Sequence, residues 1–411
     1  MKQQSVEYPP HVHASRVLDF DIYDLGLAGA EYQAALRRLQ EPDVPEVFWT
    51  VRNGGHWVVT RSTEINAVLS DTAHFSSRYI SVPKPPPERE MPPLKPLQVD
   101  PPDHMKYRNL LMAALSPKAV QGLGENARVL AIELIEGFRA RGECEFVSEF
   151  AQHLPVAIFL NIVDLPESDR PYLTQLTEVV VRSDDESQRQ SALQKIGAYG
   201  MQKIRERRAH PGSDLISSLA TAKVDGEELD DFALTGMMTL LLLAGLDTVA
   251  SMMGFFARFL ATNPDHRRQL ASNPALMQNA VEELLRRYPI ANLARVVKED
   301  VEFGGVAMKA GDMVVVPTAL DGLDDRKFSD PLKVDFNREK PIHATFGGGV
   351  HRCMGSMLAR TELRVFLDEW LKRIPDFQIS PDADVKVSVR SVATITSLPL
   401  VWNPAETHSV P

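Results

Sequence analysis

Cysteine is scarce: Cys144 and Cys353 are the only two in 411 residues. They form no Cys-x-x-Cys pair, so neither a thiol–disulfide motif nor a structural zinc knot is indicated. Such sparse use fits a reducing cytoplasm. Excess positive charge is also missing. The formal net charge of −10 argues against nucleic acid as a general partner, because phosphate binding relies on clustered Lys and Arg. No run reaches the roughly 18 charge-free apolar residues of a membrane span. The best candidate, MMTLLLLAGLDTVASMMGFF, carries Asp247 at its centre. The opening MKQQSVEYPPHVH lacks an apolar run of signal-peptide type, so a cytoplasmic protein without membrane contact is expected. Neither a flavin or nicotinamide fingerprint nor an iron–sulfur cysteine cluster is present, so electrons for any redox reaction must come from another protein.

What is present reads as globular, at 44% hydrophobic and 24% charged residues, and as one large domain or two ordinary ones. Apolar residues at helical spacing predict helices over 125–141, 190–208, 230–261, 275–287 and 355–373. The stretch from Asp230 to Thr262 is expected to form one long helix of roughly 48 Å at 1.5 Å per residue, stopped by Asn263-Pro264. Strands look short: HWVVTR, the pair in VEFGGVAMKAGDMVVVP, VKVSV and LPLVW. Proline crowds residues 82–102, excluding a regular helix or a central strand there. The fold class is mainly α with small β-sheets.

The remaining cysteine chemistry lies in FGGGVHRCMG. Cys353 is followed by GSMLARTELRVFLDEWLKRI, an amphipathic helix whose N-terminus favours a thiolate. Gly347, Gly348 and Gly349 can adopt positive φ and let backbone N–H groups approach the sulfur. A buried cysteine beside a glycine turn is the plain alternative.

This stretch resembles the haem-binding loop of the cytochrome P-450 family, Phe-Gly-x-Gly-x-His-x-Cys-x-Gly, with each fixed position filled by Phe346, Gly347, Gly349, His351, Cys353 and Gly355. The resemblance implies haem b with Cys353 as axial thiolate, and His351 hydrogen-bonded to a haem propionate. Three further motifs agree. In EELLRR, Glu283 and Arg286 share a helix face, and Arg338 matches the third member of the family's structural pairing. In AGLDT, Asp247 and Thr248 match the residues that manage protons beside the dioxygen site. In DPPDHMKYR, His104 and Arg108 match propionate-binding positions, as does Arg295 in ANLARVV. The family implies one domain over 1–411, a triangular helical prism around haem. It would have a β-rich region at about 45–80, a substrate-capping loop at about 80–102 and the haem-thiolate loop at 346–355.

Within the family, LLLAGLDTV, VEELLRRY, GLDDRKFSDPLKVDFNR, EWLKRIPDFQISP and LPLVWNPA are similar to the bacterial camphor hydroxylases. That group places a tyrosine hydroxyl on the substrate ketone. Here Pro92 falls at that position, and 82–102 holds no tyrosine. Leu293 stands where the group has an aspartate. With Leu240, Gly245, Ala291 and Val392 as further pocket positions, an apolar site is expected for a compact terpenoid-like substrate, an ionone-type ketone rather than camphor. Lys340, Arg352 and Arg360 would face a 2Fe–2S ferredoxin, itself reduced by a flavoprotein reductase. The implied activity is monooxygenation with O2 by a monomer. A peroxide-driven peroxygenase and a non-enzymatic haem sensor or carrier are the alternatives.

Overall fold

The computed structural model describes residues 7–26, 32–85, 91–339 and 341–407. Helices dominate. Those that build the site are α1 (His104–Met112), α2 (Pro117–Arg139), α3 (Leu154–Val163), α4 (Arg170–Arg182), α5 (Glu186–Ala209), α6 (Asp231–Leu246), α7 (Thr248–Thr262), α8 (Met277–Arg287) and α9 (Ser356–Arg373). Their starts follow from local chemistry. The Ser116 hydroxyl and Pro117 open α2, so this helix begins well before residue 125. Asp185 accepts from two backbone amides at the head of α5, and Asp230 accepts from Ala233 N–H at 2.6 Å at the head of α6. Each side-chain oxygen satisfies an amide that the helix leaves free.

The single long helix expected from Asp230 to Thr262 is interrupted. Asp247 stands between α6 and α7 at φ −129°, ψ −36°, and the Thr248 hydroxyl donates to Ala244 O at 3.0 Å. That carbonyl would otherwise accept the next helical amide, so the side chain competes with the ladder. The stretch Asp231–Thr262 is the one helical segment, among the described residues, long and apolar enough to cross a membrane, and 61% of its most apolar window is buried inside the protein. A core helix in a protein of this size passes the same test.

Strands β1 (Val47–Thr50), β2 (His56–Val59), β3 (Phe75–Ser76), β4 (Asn292–Val297) and β5 (Met313–Pro317) form one sheet in the order β1-β2-β5-β4-β3. The β-rich region at 45–80 is therefore completed by strands from far along the chain. Two of its strands, β2 and β5, pair in parallel, and the other neighbours are antiparallel. A hairpin of β6 (Lys386–Val389) and β7 (Ala393–Ser397) stands apart. Its turn is tied to the lead-in of β4, since Asn292 N–H donates to Ser391 O and Ala393 N–H to Ile290 O. The described part of the proline-rich loop forms no helix or strand. A large apolar cluster joins the main sheet to α2, α7, α8 and α9, and a second one lies among α3, α4, α5 and α6.

Glu283 and Arg286 are fully buried on α8. The guanidinium makes two bonds of 2.8 Å to the Glu283 carboxylate. Its other N–H groups reach the carbonyls of Gly322, Pro331 and Lys333. Arg338 Nε adds a bond of 3.1 Å to the same carboxylate, and the Asp335 amide a further one. A buried pair satisfied this fully is costly to break from one side, because the surviving charge is stranded. Arg286→Ala should lower the unfolding free energy by about 3–5 kcal/mol, read from urea denaturation of the purified protein.

Candidate active site

The cysteine loop turns on two glycines. Gly347 has φ +70° and Gly349 φ +58°. Gly348 is extended at φ −145°, so two rather than three of the glycines use the left-handed region. Gly349 is needed for space as well: a Cβ there would lie 2.7 Å from Leu69 O and 3.0 Å from Ser70 Cα. The loop closes with Cys353 N–H donating to Phe346 O at 2.9 Å. Cys353 thus sits just before the first turn of α9, whose Ala359 amide donates to Gly355 O.

Burial pushes the Cys353 thiol pKa up. Against this act the backbone N–H of Gly355 and the guanidiniums of Arg108, Arg360 and Arg352. The amide aimed at the sulfur therefore comes from the glycine after the cysteine, not from the triglycine before it. Cys353 nevertheless has exposed surface, whereas Cys144 is buried. Burial drives the Cys144 thiol far above its ordinary value. Only Cys353 is placed to act as a ligand.

Around the loop the structure gathers His104, Arg108, Arg295 and His351. The two histidine rings meet edge-on, their centroids 4.4 Å apart. Both ring nitrogens of His351, and Nδ1 of His104, are buried without a hydrogen-bond partner among the described residues. Burial, with Arg295 and His104 nearby, lowers the His351 pKa to about 4. Arg295 is 3% exposed. Burial lowers its pKa to about 10, opposed by Asp100. Its one hydrogen bond among the described residues goes to a backbone carbonyl, Ala294 O at 2.8 Å. Arg108 on α1 donates to Arg352 O at 2.9 Å. Asp100, absent from the sequence reading, is a nearby carboxylate, 4.0 Å from His351 Nε2. A buried cation and imidazole N–H groups without a partner call for an anionic acceptor. They fit the propionates of a haem that Cys353 would hold through its thiolate.

Asp247 is 6% exposed and receives Arg182 Nη2 at 2.6 Å. Burial raises its pKa, while Arg182 and the Ser251 hydroxyl oppose the rise. Arg182, on α4, escaped the sequence reading because no local spacing ties it to a residue 65 positions away. Thr248 lies one position on, half-buried. The other pocket positions divide. Ala291 bridges Val392, Leu240 is half-buried on α6, and Leu293 lies beside Gly347. Pro92 lies over the start of α6. Gly245 is a correction: a Cβ there would collide with the Phe159 ring of α3. It serves helix packing, while its neighbour Ala244 is the exposed residue.

Of the expected basic face, Arg352 and Arg360 lie among the described residues. Arg360 holds Glu282 through two bonds, at 2.5 and 3.0 Å, and lies over the Phe346 ring at 4.5 Å. It buttresses the loop instead of standing free. Arg352 is exposed. Lys340 lies outside the described residues.

Comparison with known proteins decides the family. The model described as "Cytochrome P450" matches residues 156–400. The chain belongs to the cytochrome P450 family. It is 32% identical to the probable cytochrome P450 127A1 of Sinorhizobium fredii, over 96% of both chains. It is 31% identical to the mycinamicin IV hydroxylase/epoxidase of Micromonospora griseorubida, over 84% of this chain and 89% of that one. The crystal structures of CYP101J2 and CYP101C1 superpose with TM-scores of 0.88 and 0.87, at 39% and 38% identity. Each covers 97% of this chain and 100% of its own. This P450 is thus a monooxygenase with the helix-rich P450 fold, of the group that the camphor-hydroxylase segments indicated. It binds haem b iron through a cysteine thiolate.

Arg295→Gln removes a buried charge that only a bound anion compensates. The variant should fold without loss of apoprotein stability yet lose haem about tenfold more readily, equivalent to about 1.4 kcal/mol. Haem transfer to an acceptor protein, beside thermal unfolding of the apoprotein, measures both effects.

Proposed function

We propose that this P450 hydroxylates a compact, apolar, terpenoid-like ketone of the ionone type, in preference to camphor, with O2 and two electrons from a 2Fe–2S ferredoxin. What supports the reading is the chemistry of the pocket positions carried over from the family: the polar pair Asp247–Thr248 together with Leu240, Ala291, Leu293, Val392 and Pro92. None of those five side chains carries a donor. A substrate held there is oriented by shape, and the missing tyrosine hydroxyl would weaken camphor by about 1–2 kcal/mol.

Cys353 would hold the haem iron through its thiolate, and Arg108, Arg295, His104 and His351 would hold its propionates. Haem b bound there supplies reductive activation of O2 and insertion of one oxygen atom into a C–H bond, the other leaving as water. That stoichiometry consumes two protons, and their path is the task of this chain's own residues. Asp247 is buried, which favours its protonated form, while Arg182 favours the carboxylate. Loosening the Arg182 contact raises the proton affinity of Asp247, and restoring it releases the proton toward Thr248. Thr248 then presents its hydroxyl on the α6–α7 face. A peroxide-driven reaction would leave both residues without a task, which favours the monooxygenase.

Electrons arrive on the face of the cysteine loop. Arg352 is an exposed cation there, and it suits an acidic ferredoxin served by a flavoprotein reductase. The protein would work in the cytoplasm as a single domain of one chain, with Phe346, Gly347 and Gly349 shaping the loop.

Titration of the ferric protein with β-ionone should give a saturating low-to-high-spin shift of the Soret band, and camphor should give little. A strong camphor response would overturn the preference and reveal a replacement donor. Asp247→Asn should lower ferredoxin-driven product formation about 100-fold while leaving the β-ionone dissociation constant unchanged, as product chromatography and the same titration will show.

A further inference from the structure

Helix α6 is covered on most sides. Gly197 and Gly200 let α5 approach closely: a Cβ on Gly200 would lie 2.6 Å from Met238 Cβ, and one on Gly197 3.0 Å from Thr235 Cγ2. Phe159 fills the side at Gly245. Another face carries Gly236, Leu240, Ala244 and, beyond the break, Thr248, each four residues from the last. Leu240 is half-buried and Ala244 exposed, while Met237, Met238, Thr239 and Leu242 are buried. This is the face on which Thr248 opens, and Gly236 lies about 18 Å from Thr248 at 1.5 Å per residue.

The far end of that face is roofed by backbone. A Cβ on Gly236 would collide with the carbonyl oxygen of Pro93, and would lie 3.0 Å from Pro93 C and 3.5 Å from Pro92 C. Gly236 is in mid-helix with ordinary helical backbone, where glycine is disfavoured relative to alanine. Close approach accounts for it. The obstacle is main chain, not the movable tip of a side chain, and the segment is fastened elsewhere. Lys95 Nζ reaches Tyr107 Oη at 2.9 Å and lies over that ring at 4.2 Å. Leu94 N–H donates to Gln98 Oε1 at 2.7 Å, and Gln98 Nε2 to Arg78 O at 2.8 Å.

We infer that Gly236 is a specificity-determining position: its bare Cα sets how low the Pro92–Pro93 segment lies over the substrate face of α6. The inference rests on the proposed reading of that face as the substrate wall. Any side chain at 236 lifts the segment and lengthens the site at the end remote from Thr248. Compact ligands then lose contact and long ones gain room.

The test compares haem-loaded wild type with Gly236→Ala and Gly236→Val. Hydrogen exchange is followed at the amides within 91–99. Soret titrations use β-ionone, imidazole and 4-(biphenyl-4-yl)imidazole. The azoles bind haem iron and need no assumption about the natural substrate. In Gly236→Val, exchange at 91–99 should quicken about tenfold and the β-ionone dissociation constant should rise about tenfold. The long azole should bind at least as tightly as to wild type, and imidazole should be unaffected. Exchange and affinities equal to wild type in both variants would overturn the inference. If wild type itself ignores β-ionone, the substrate reading fails, while exchange and the azole pair still decide the role of Gly236. Should Gly236→Val not fold, Gly236→Ala decides, because the collision involves the Cβ atom alone.

Discussion

A positive charge buried without a carboxylate of its own is the constraint around which this site is arranged. Arg295 lies in the middle of the main sheet on β4, flanked by β5 and β3, and is almost wholly out of water. Protein alone does not compensate it: its pKa falls to about 10, and the nearest carboxylate influence, Asp100, is shared with His351 and His104. A partner of opposite charge would complete the group. The orphaned imidazole nitrogens of His351 and His104 point to the same partner. Propionate recognition is thus visible as an electrostatic debt in the protein.

The buried pair on α8 shows the opposite pattern. Arg286 is just as buried, yet its guanidinium is fully engaged, two N–H groups on Glu283 and the others on three backbone carbonyls. Its guanidinium and that of Arg338 lie over the Phe328 ring at 5.2 and 5.8 Å. A Cβ on Gly322 would collide with the Arg286 carbonyl. This knot fixes the chain that leads into the cysteine loop. Arg360, Glu282 and His343 brace the loop itself. Arg286 is satisfied within the protein, and Arg295 is not.

The opposing wall depends on a local fault. A continuous helix would bury Asp247 as an ordinary core error. The break after Leu246 turns that carboxylate toward Arg182 on α4 and leaves Thr248 to open the next helix. The same wall is apolar above the break, and is roofed where Gly236 lets main chain settle on main chain. On the proposed function, proton supply and substrate fit lie toward opposite ends of this helical stretch.

Much of this was legible in the sequence, because the fixed motifs are short and local. Phe346 to Gly355 specify a turn that needs glycine at 347 and 349 and puts Cys353 at a helix start. Glu283 and Arg286 are one helical turn apart, as are His104 and Arg108. Helix spacing, the proline-rich loop and the short strands also follow from neighbours in the chain. Contacts between distant segments did not. Spacing could not tie Arg182 to Asp247, bring Phe159 onto Gly245, commit Arg360 to Glu282 or lay Pro93 on Gly236. The residue types and their local order fixed which atoms could ligate, pair or turn. Which of them face the haem pocket, and which are spent on packing, depends on how helices far apart in sequence close against one another, and only tertiary structure decides that.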